Sequence, residues 1–249
     1  MPTPMQNDII AGRNAVAEAL RAAMPIDSVL VARGERQGSV VPLLAKCKEK
    51  GIPVKEVDSR KLDFMCGGNQ HQGIVAVAAC KEYVTLEQLL EGAKEKGEPP
   101  FLIVCDELED PHNIGAILRT AEAAGAHGLV LPKRRSAGLT AAVYKASAGA
   151  AAHMPVARVS NLCDAIRKLK ENGVWVYGLD MDGSTWCQTD LKGPIALVIG
   201  SEGNGMGRLV REHCDGILSL PMCGKVNSLN ASVACGIAIY EIVRQRQGL

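Results

Sequence analysis

Apolar residues along the chain fall into short runs that alternate with amphipathic stretches of helical period. GRNAVAEALRAA (12–23) has helical spacing and DSVLVA (27–32) reads as a strand. SVVPLLAKCKEKG (39–51) predicts a helix with Pro42 in its first turn and a stop at Gly51. A short strand near Val54–Val57, a helix near 58–65 and the strand GIVAVAA (73–79) complete a small α/β unit over residues 1–80. Residues 81–100, KEYVTLEQLLEGAKEKGEPP, are charged and close on Gly-Glu-Pro-Pro, as a linker would, although TLEQLLEGAKEK can form a short amphipathic helix.

Over residues 101–249 the same alternation returns with stronger signals. FLIVCD, HGLVLP, MPVARV, VWVYGLD, IALVIG and GILSLP read as strands. Between them NIGAILRTAEAAGA, LTAAVYKASAGAAA, NLCDAIRKLKENG and MGRLVREHC read as helices, and SLNASVACGIAIYEIVRQR as a long final one. Strands alternating with helices predict the α/β class, with a parallel sheet covered by helices on both faces.

Composition narrows this picture only in places. The chain is 47% hydrophobic and 22% charged, with a net charge of +1, so no global positive field announces a nucleic acid. Aromatic residues, at 3%, are too scarce for base-stacking platforms to be the main binding device. The nine cysteines form no CxxC pair, and neither they nor the five dispersed histidines show metal-ligand spacing. They read as reduced thiols in a cytoplasm. Asp8, Arg13, Glu18 and Arg21 interrupt any signal-peptide core, and no apolar run is long enough to span a bilayer, so the expected protein is soluble and cytoplasmic.

Ligands of open parallel sheets bind beyond the carboxyl ends of the strands. Three post-strand segments carry unusual residues there: DELEDPHNIGAILRT (106–120), IGSEGNGMG (199–207) and LPMCGKVNSLNAS (220–232). The glycines of the second fit no phosphate cradle. After Gly203 and Gly205, Arg208 stands where a dinucleotide fingerprint needs glycine, and after Gly200 and Gly205, Met206 stands where a P-loop needs lysine. Glu202 inside the loop would repel a pyrophosphate, which argues for a neutral or cationic ligand and against a nicotinamide-dependent oxidoreductase. In the first segment Asn113 has two readings, a site residue or a helix cap, and Arg119 is either a site residue or a partner for Glu122. In the third, Ser228 is the natural cap, yet Ser228, Asn230 and Ser232 together exceed what capping needs. The basic run Lys133–Arg135 is either solvated surface or part of a ligand face, and Arg13 and Asn14 are either RNA contacts or helix-start residues.

Taken together, DPHNIGAILRTAEAAG, IALVIGSEGNGM and LPMCGKVNSLNASVACGIAIYE resemble the motifs of the SPOUT superfamily of RNA methyltransferases, in its TrmH branch of 2′-O-ribose methyltransferases. GRNAVAEAL and HQGIVAVAA resemble the substrate-binding domain of the subgroup that modifies a guanosine of large-subunit (23S) ribosomal RNA, a domain of L30e-like fold. The resemblance implies an L30e-like RNA-binding domain (1–80), a linker (81–100) and a catalytic domain (101–249) ending in a deep trefoil knot. It also implies S-adenosylmethionine as cofactor, RNA as partner and a homodimer formed through the catalytic domain. By position, Gly200, Leu220, Met222 and Leu229 would meet the cofactor, while Asn113, Arg119, Glu202, Ser228 and Asn230 match the polar motif residues. A guanidinium rarely deprotonates, so Arg119 is expected to stabilise a developing alkoxide and anchor a phosphate rather than act as a base. A transfer-RNA methyltransferase and a non-catalytic RNA-binding protein of the same fold are the competing expectations.

Overall fold

The computed structural model describes residues 9–35, 38–67 and 70–249. The chain divides into two compact units, Met1–Glu82 with Gly138–Tyr144, and Tyr83–Ala137 with Lys145–Leu249.

The first unit runs β1 (Ile9–Ala11), α1 (Arg13–Arg21), β2 (Ile26–Ala32), α2 (Val40–Glu49), β3 (Val54–Val57), α3 (Ser59–Cys66) and β4 (Ile74–Ala78). Its sheet has the order β1-β4-β2-β3, in which β4 is antiparallel to both neighbours and β2 and β3 are parallel. Three-residue β1 is too short to leave a periodic signal in the sequence. All seven residues of β2 are buried because the strand is covered on both faces. Val29 and Val31 face Val16, Leu20 and Leu43 of α1 and α2, while Leu30 and Ala32 face Leu62 and Met65 of α3. Arg13 is tied to this scaffold: its guanidinium donates to the Gln72 carbonyl (3.0 Å), Ser39 (3.1 Å) and Glu35 (3.1 Å).

The second unit contributes α4 (Leu86–Glu95), β5 (Phe101–Cys105), α5 (Pro111–Ala123), β6 (Gly128–Pro132), β7 (Val156–Val159), α7 (Leu162–Glu171), β8 (Trp175–Thr185), β9 (Ile195–Ile199), α8 (Arg208–His213), β10 (Gly216–Ser219) and α9 (Ala231–Gln247), while α6 (Ala141–Ala146) straddles the boundary after Tyr144. Six parallel strands form one sheet in the order β10-β8-β9-β5-β6-β7. The two central strands, β5 and β9, are buried along their whole length. Their register pairs Cys105 with Ile199, so both strands end at the same level and the loops that follow leave the sheet side by side.

Two expectations need amendment. Within 81–100, α4 is a full helix closed by a Thr85–Gln88 capping box. Leu86 and Leu89 of α4 are buried in a core shared with Leu102, Val104 and Ile166, so this stretch is part of a packed layer rather than an open linker. LTAAVYKASAGAAA is not one helix. It stops after Ala146 and resumes as a single 3-10 turn at Ala150–Ala152, because Ala148 (φ 50°) and Gly149 (φ 91°) turn left-handed. No helix among the described residues is long and apolar enough to cross a membrane.

Candidate functional site

The loop after β9 folds back on itself. Ser201 and Gly205 exchange two backbone hydrogen bonds, each 2.9 Å, across a tight turn. Gly205 takes a left-handed φ of 64°. A Cβ on Gly200 would collide with the Gly205 carbonyl and the Met206 backbone nitrogen, so Gly200 lets two stretches of main chain cross. Below the turn Met206 is buried, and the next amide, Gly207 N–H, donates to Asp106 Oδ2 at 2.7 Å. Asp106, the first residue beyond β5, is itself buried. Burial raises its pKa above the ordinary carboxylate range, with the Gly207 N–H pulling the other way.

After Asp106 the chain enters α5, and Asp110, not Asn113, caps that helix by accepting from His112 N–H at 2.8 Å. Asn113 thereby falls in the first turn, buried, with its amide free for longer-range contacts. Asn113 Nδ2 donates to Glu202 Oε1 at 2.9 Å. Asn230 Nδ2 donates to Asn113 Oδ1 at 2.9 Å and also to Glu202 Oε1. Asn230 Oδ1 meanwhile accepts from Ser232 N–H (3.0 Å), Ser232 Oγ (2.6 Å) and Val233 N–H (3.2 Å). Asn230, and not Ser228, therefore caps α9, and its side chain joins that cap to a closed three-residue network. Such a network fixes the direction of the Glu202 carboxylate, because both amides spend a donor on one oxygen.

Beside this network lies a cavity of about 330 Å³. One wall is the loop from Gly200 to Gly205; the opposite wall is Leu220, Met222, Ser228 and Leu229; Leu179, Asp180 and Met181 close the β8 side. The expected cofactor contacts Gly200, Leu220, Met222 and Leu229 thus line one cavity, with Glu202 and Ser228 on its rim. Asp180 is held by Arg211 at 2.7 Å. A second, acidic recess, lined by Glu107, Glu109, Asp110 and Asn113, shares Ser201, Glu202 and Asn204 with the first.

Arg119 is not drawn into this assembly. It stands exposed on α5 and makes no hydrogen bond or ion pair among the described residues, with Glu122 or otherwise. Arg135 of the basic run pairs with Glu107 at 2.7 Å. Asp106 and Asp180 escaped notice in the sequence. The signal for Asp106 was a carboxylate placed directly after the buried run FLIVC, at the end of the sheet where ligands bind. Cys105, Cys214 and Cys235 are packing residues: burial pushes the Cys235 and Cys105 thiols well up and that of Cys214 to about 12.

Residues 100–240, which contain every member of the network and the cavity, match the SpoU rRNA Methylase family. The chain belongs to the SpoU rRNA Methylase family. Within it the chain is a SPOUT, TrmH-type RNA methyltransferase, and residues 9–84 match a second family, RNA 2′-O ribose methyltransferase substrate binding. Among relatives, a Bacillus subtilis protein named as the TrmH family tRNA/rRNA methyltransferase YacO is 50% identical over 242 residues, 97% of each chain. A Staphylococcus aureus protein named for the same family is 44% identical over 243 residues, 97% of this chain and 98% of that one. Among solved structures, the SpoU methyltransferase AviRb of Streptomyces viridochromogenes in complex with AdoMet superposes with a TM-score of 0.61 at 26% identity, covering 97% of this chain and 91% of that chain. An AdoMet-bound rRNA methyltransferase of Sinorhizobium meliloti gives 0.59 at 26% identity, covering 95% and 86%. The SpoU family member described here shares its fold with both.

Proposed function

We propose that this SpoU family member transfers the methyl group of S-adenosylmethionine to a ribose 2′-hydroxyl of RNA, the target being a guanosine of 23S ribosomal RNA. The observation that carries the reading is the Asn113–Glu202–Asn230 network set at the rim of a cavity with apolar walls and no phosphate cradle. That cavity suits the cofactor chemically. Leu179, Leu220, Met222 and Leu229 offer apolar surface for an adenine ring, the main chain at Gly200 offers polar edges, and Glu202 suits a ligand that carries positive charge and no phosphate. When bound, S-adenosylmethionine supplies the electrophilic methyl group.

The chain's own residues position the nucleophile. Glu202, fixed by two amides, orients the ribose, and Ser228 on the opposite rim offers a second hydrogen bond. Arg119 stabilises the alkoxide as it develops and holds an adjacent phosphate, which suits a guanidinium left exposed and unpaired among the described residues. The next residue, Thr120, has its methyl 3.6 Å from where a Cβ on Gly236 would sit, so α5 packs against α9 at that level. On α9, Val233, Ile237 and Tyr240 expose a stripe at i, i+4 and i+7, which supports a homodimer through this unit. The deep trefoil knot, the L30e-like first domain and a cytoplasmic location complete the proposal; nine free thiols suit a reducing compartment.

The decisive experiment supplies the purified chain with labelled S-adenosylmethionine and separate 23S rRNA and tRNA transcripts, then maps the modified nucleotide. Label in a ribose 2′-O position of rRNA is expected. Label in tRNA alone moves the substrate assignment to tRNA, a class that the B. subtilis relative's name also carries. Calorimetric binding of NAD without S-adenosylmethionine binding would overturn the reading.

A further inference from the structure

The first unit carries on α3 an aromatic side chain that its own core does not use. Of the two phenylalanines in the chain, Phe101 is fully buried, whereas Phe64 on α3 is 69% exposed. Helical spacing explains the division. Leu62, Met65 and Cys66 share the inward face of α3, which puts Arg60 and Lys61, one turn before Phe64, on the outward face beside it. Arg33, at the end of β2, joins the same end of the unit, because its N–H donates to the carbonyl of Val57 at 2.9 Å, just before α3 begins.

Charge sorts this surface further. The acids around it are engaged: Asp58 accepts from Arg60 N–H as the cap of α3, Asp63 pairs with His71 at 2.9 Å, and Glu35 pairs with Arg13 at 3.1 Å. Arg33, Arg60 and Lys61 make no ion pair among the described residues. The result is an exposed aromatic face rimmed by unpaired cations. A polyanion with flat, unpaired bases complements both features at once, since phosphates meet the cations and one base covers the ring.

We propose that the outward face of α3 is a single-stranded RNA contact in which Phe64 stacks one unpaired base while Arg60, Lys61 and Arg33 hold the flanking phosphates. This rests on the RNA methyltransferase reading and assigns the face by which the first unit grips its substrate. One ring makes one stacking site, so scarce aromatics are no obstacle. Arg13, which the sequence put forward in this unit together with Asn14, is spent on internal contacts.

The test uses the full-length chain, its Phe64→Ala, Phe64→Trp and Arg60→Ser/Lys61→Ser variants, and whichever transcript, rRNA or tRNA, the unaltered chain methylates. Phe64→Ala should weaken RNA binding roughly tenfold, leave S-adenosylmethionine affinity unchanged and raise KM for RNA more than it lowers kcat. Phe64→Trp should bind as tightly as the parent or more so. The double variant should flatten the dependence of log K on log salt by one to two contacts' worth, roughly 0.7 to 1.4. Unchanged RNA binding by Phe64→Ala in a chain that still methylates RNA would overturn this inference alone. A loss confined to protein-bearing ribosomal particles, absent on naked RNA, would overturn it in favour of a protein contact. Failure of the unaltered chain to methylate any RNA would overturn the parent reading as well.

Discussion

Asp106 Oδ2 accepts the Gly207 N–H at 2.7 Å, so a buried carboxylate at the end of β5 anchors the far end of the loop that leaves β9. Two variants separate its bond from its charge. Asp106→Ala removes the acceptor and should cost roughly 1–2 kcal/mol, with a looser loop and weaker S-adenosylmethionine binding by calorimetry. Asp106→Asn keeps an acceptor and removes the ionisation. The folded pKa lies above the ordinary 3.8, so the folded state holds more protons than the unfolded state in that window. Stability from this group is therefore complete below 3.8 and lost as pH rises through the raised folded value. The melting temperature of Asp106→Asn minus that of the parent should climb as pH rises from about 4. A flat difference would remove Asp106 from this role.

Gly200 and Gly203 sit three residues apart with opposite constraints. A Cβ on Gly200 strikes the Gly205 main chain, whereas one on Gly203 meets nothing within 4 Å. Gly200→Ala should lower cofactor affinity at least tenfold and reduce thermal stability by several degrees, while Gly203→Ala should do neither. Equal effects at the two positions would show that the turn is not what shapes the cavity.

Asn230 serves two masters through its two side-chain atoms. Asn230→Ala should cost about 1–2 kcal/mol through the lost cap and should also break the network. Asn230→Asp keeps the acceptor for Ser232 and Val233 but loses the amide donors and sets a second carboxylate against Glu202. It should fold more stably than the alanine variant yet transfer methyl at least tenfold more slowly. Methylation kinetics together with urea unfolding check both halves.

Exposed Arg119 invites a cleaner substitution. Arg119→Lys should leave stability within about 0.5 kcal/mol and S-adenosylmethionine affinity unchanged, yet lower turnover tenfold or more. Near-normal turnover with unchanged RNA affinity would sink the role assigned to it.

His127 lies at the opposite end of the sheet, buried, with Nδ1 accepting from Phe101 N–H at 3.1 Å and Nε2 3.1 Å from Glu98. Burial holds its pKa below the ordinary 6.5, so the unfolded chain binds the proton first. Stability should be complete above pH 6.5 and fall as pH drops towards the depressed value. Replacing His127 with Asn should flatten that part of the curve in denaturant titrations at pH 7.5 and 5.5.

Local pattern revealed much of this architecture, for physical reasons that also set its reach. FLIVC and IALVI are continuous apolar runs because strands covered on both faces need them, and they occur as β5 and β9. Asn161 caps α7 as a polar residue ahead of an amphipathic period suggests. The helix starts at Asp110 and Asn230 were harder, because Asn113 and Ser228 are equally acceptable caps by local chemistry. Partners far along the chain decide between them: Asn113 and Asn230 are released or recruited by contacts 89 and 117 residues away. Asp106 was missed for the same reason, since nothing near it reveals a partner 101 residues on. The motif resemblance reached Asn113, Glu202 and Asn230 where periodicity did not.

That 117-residue span between Asn113 and Asn230 also sets the order in which the proposed site can assemble as the chain is made. A chain emerging from a ribosome is surrounded by RNA from its first residue. Until α9 has cleared the exit, neither the third side chain of the network nor the Leu220–Leu229 wall of the cavity is in place. The proposed site is therefore complete only once Asn230 and α9 have been made and have packed against α5.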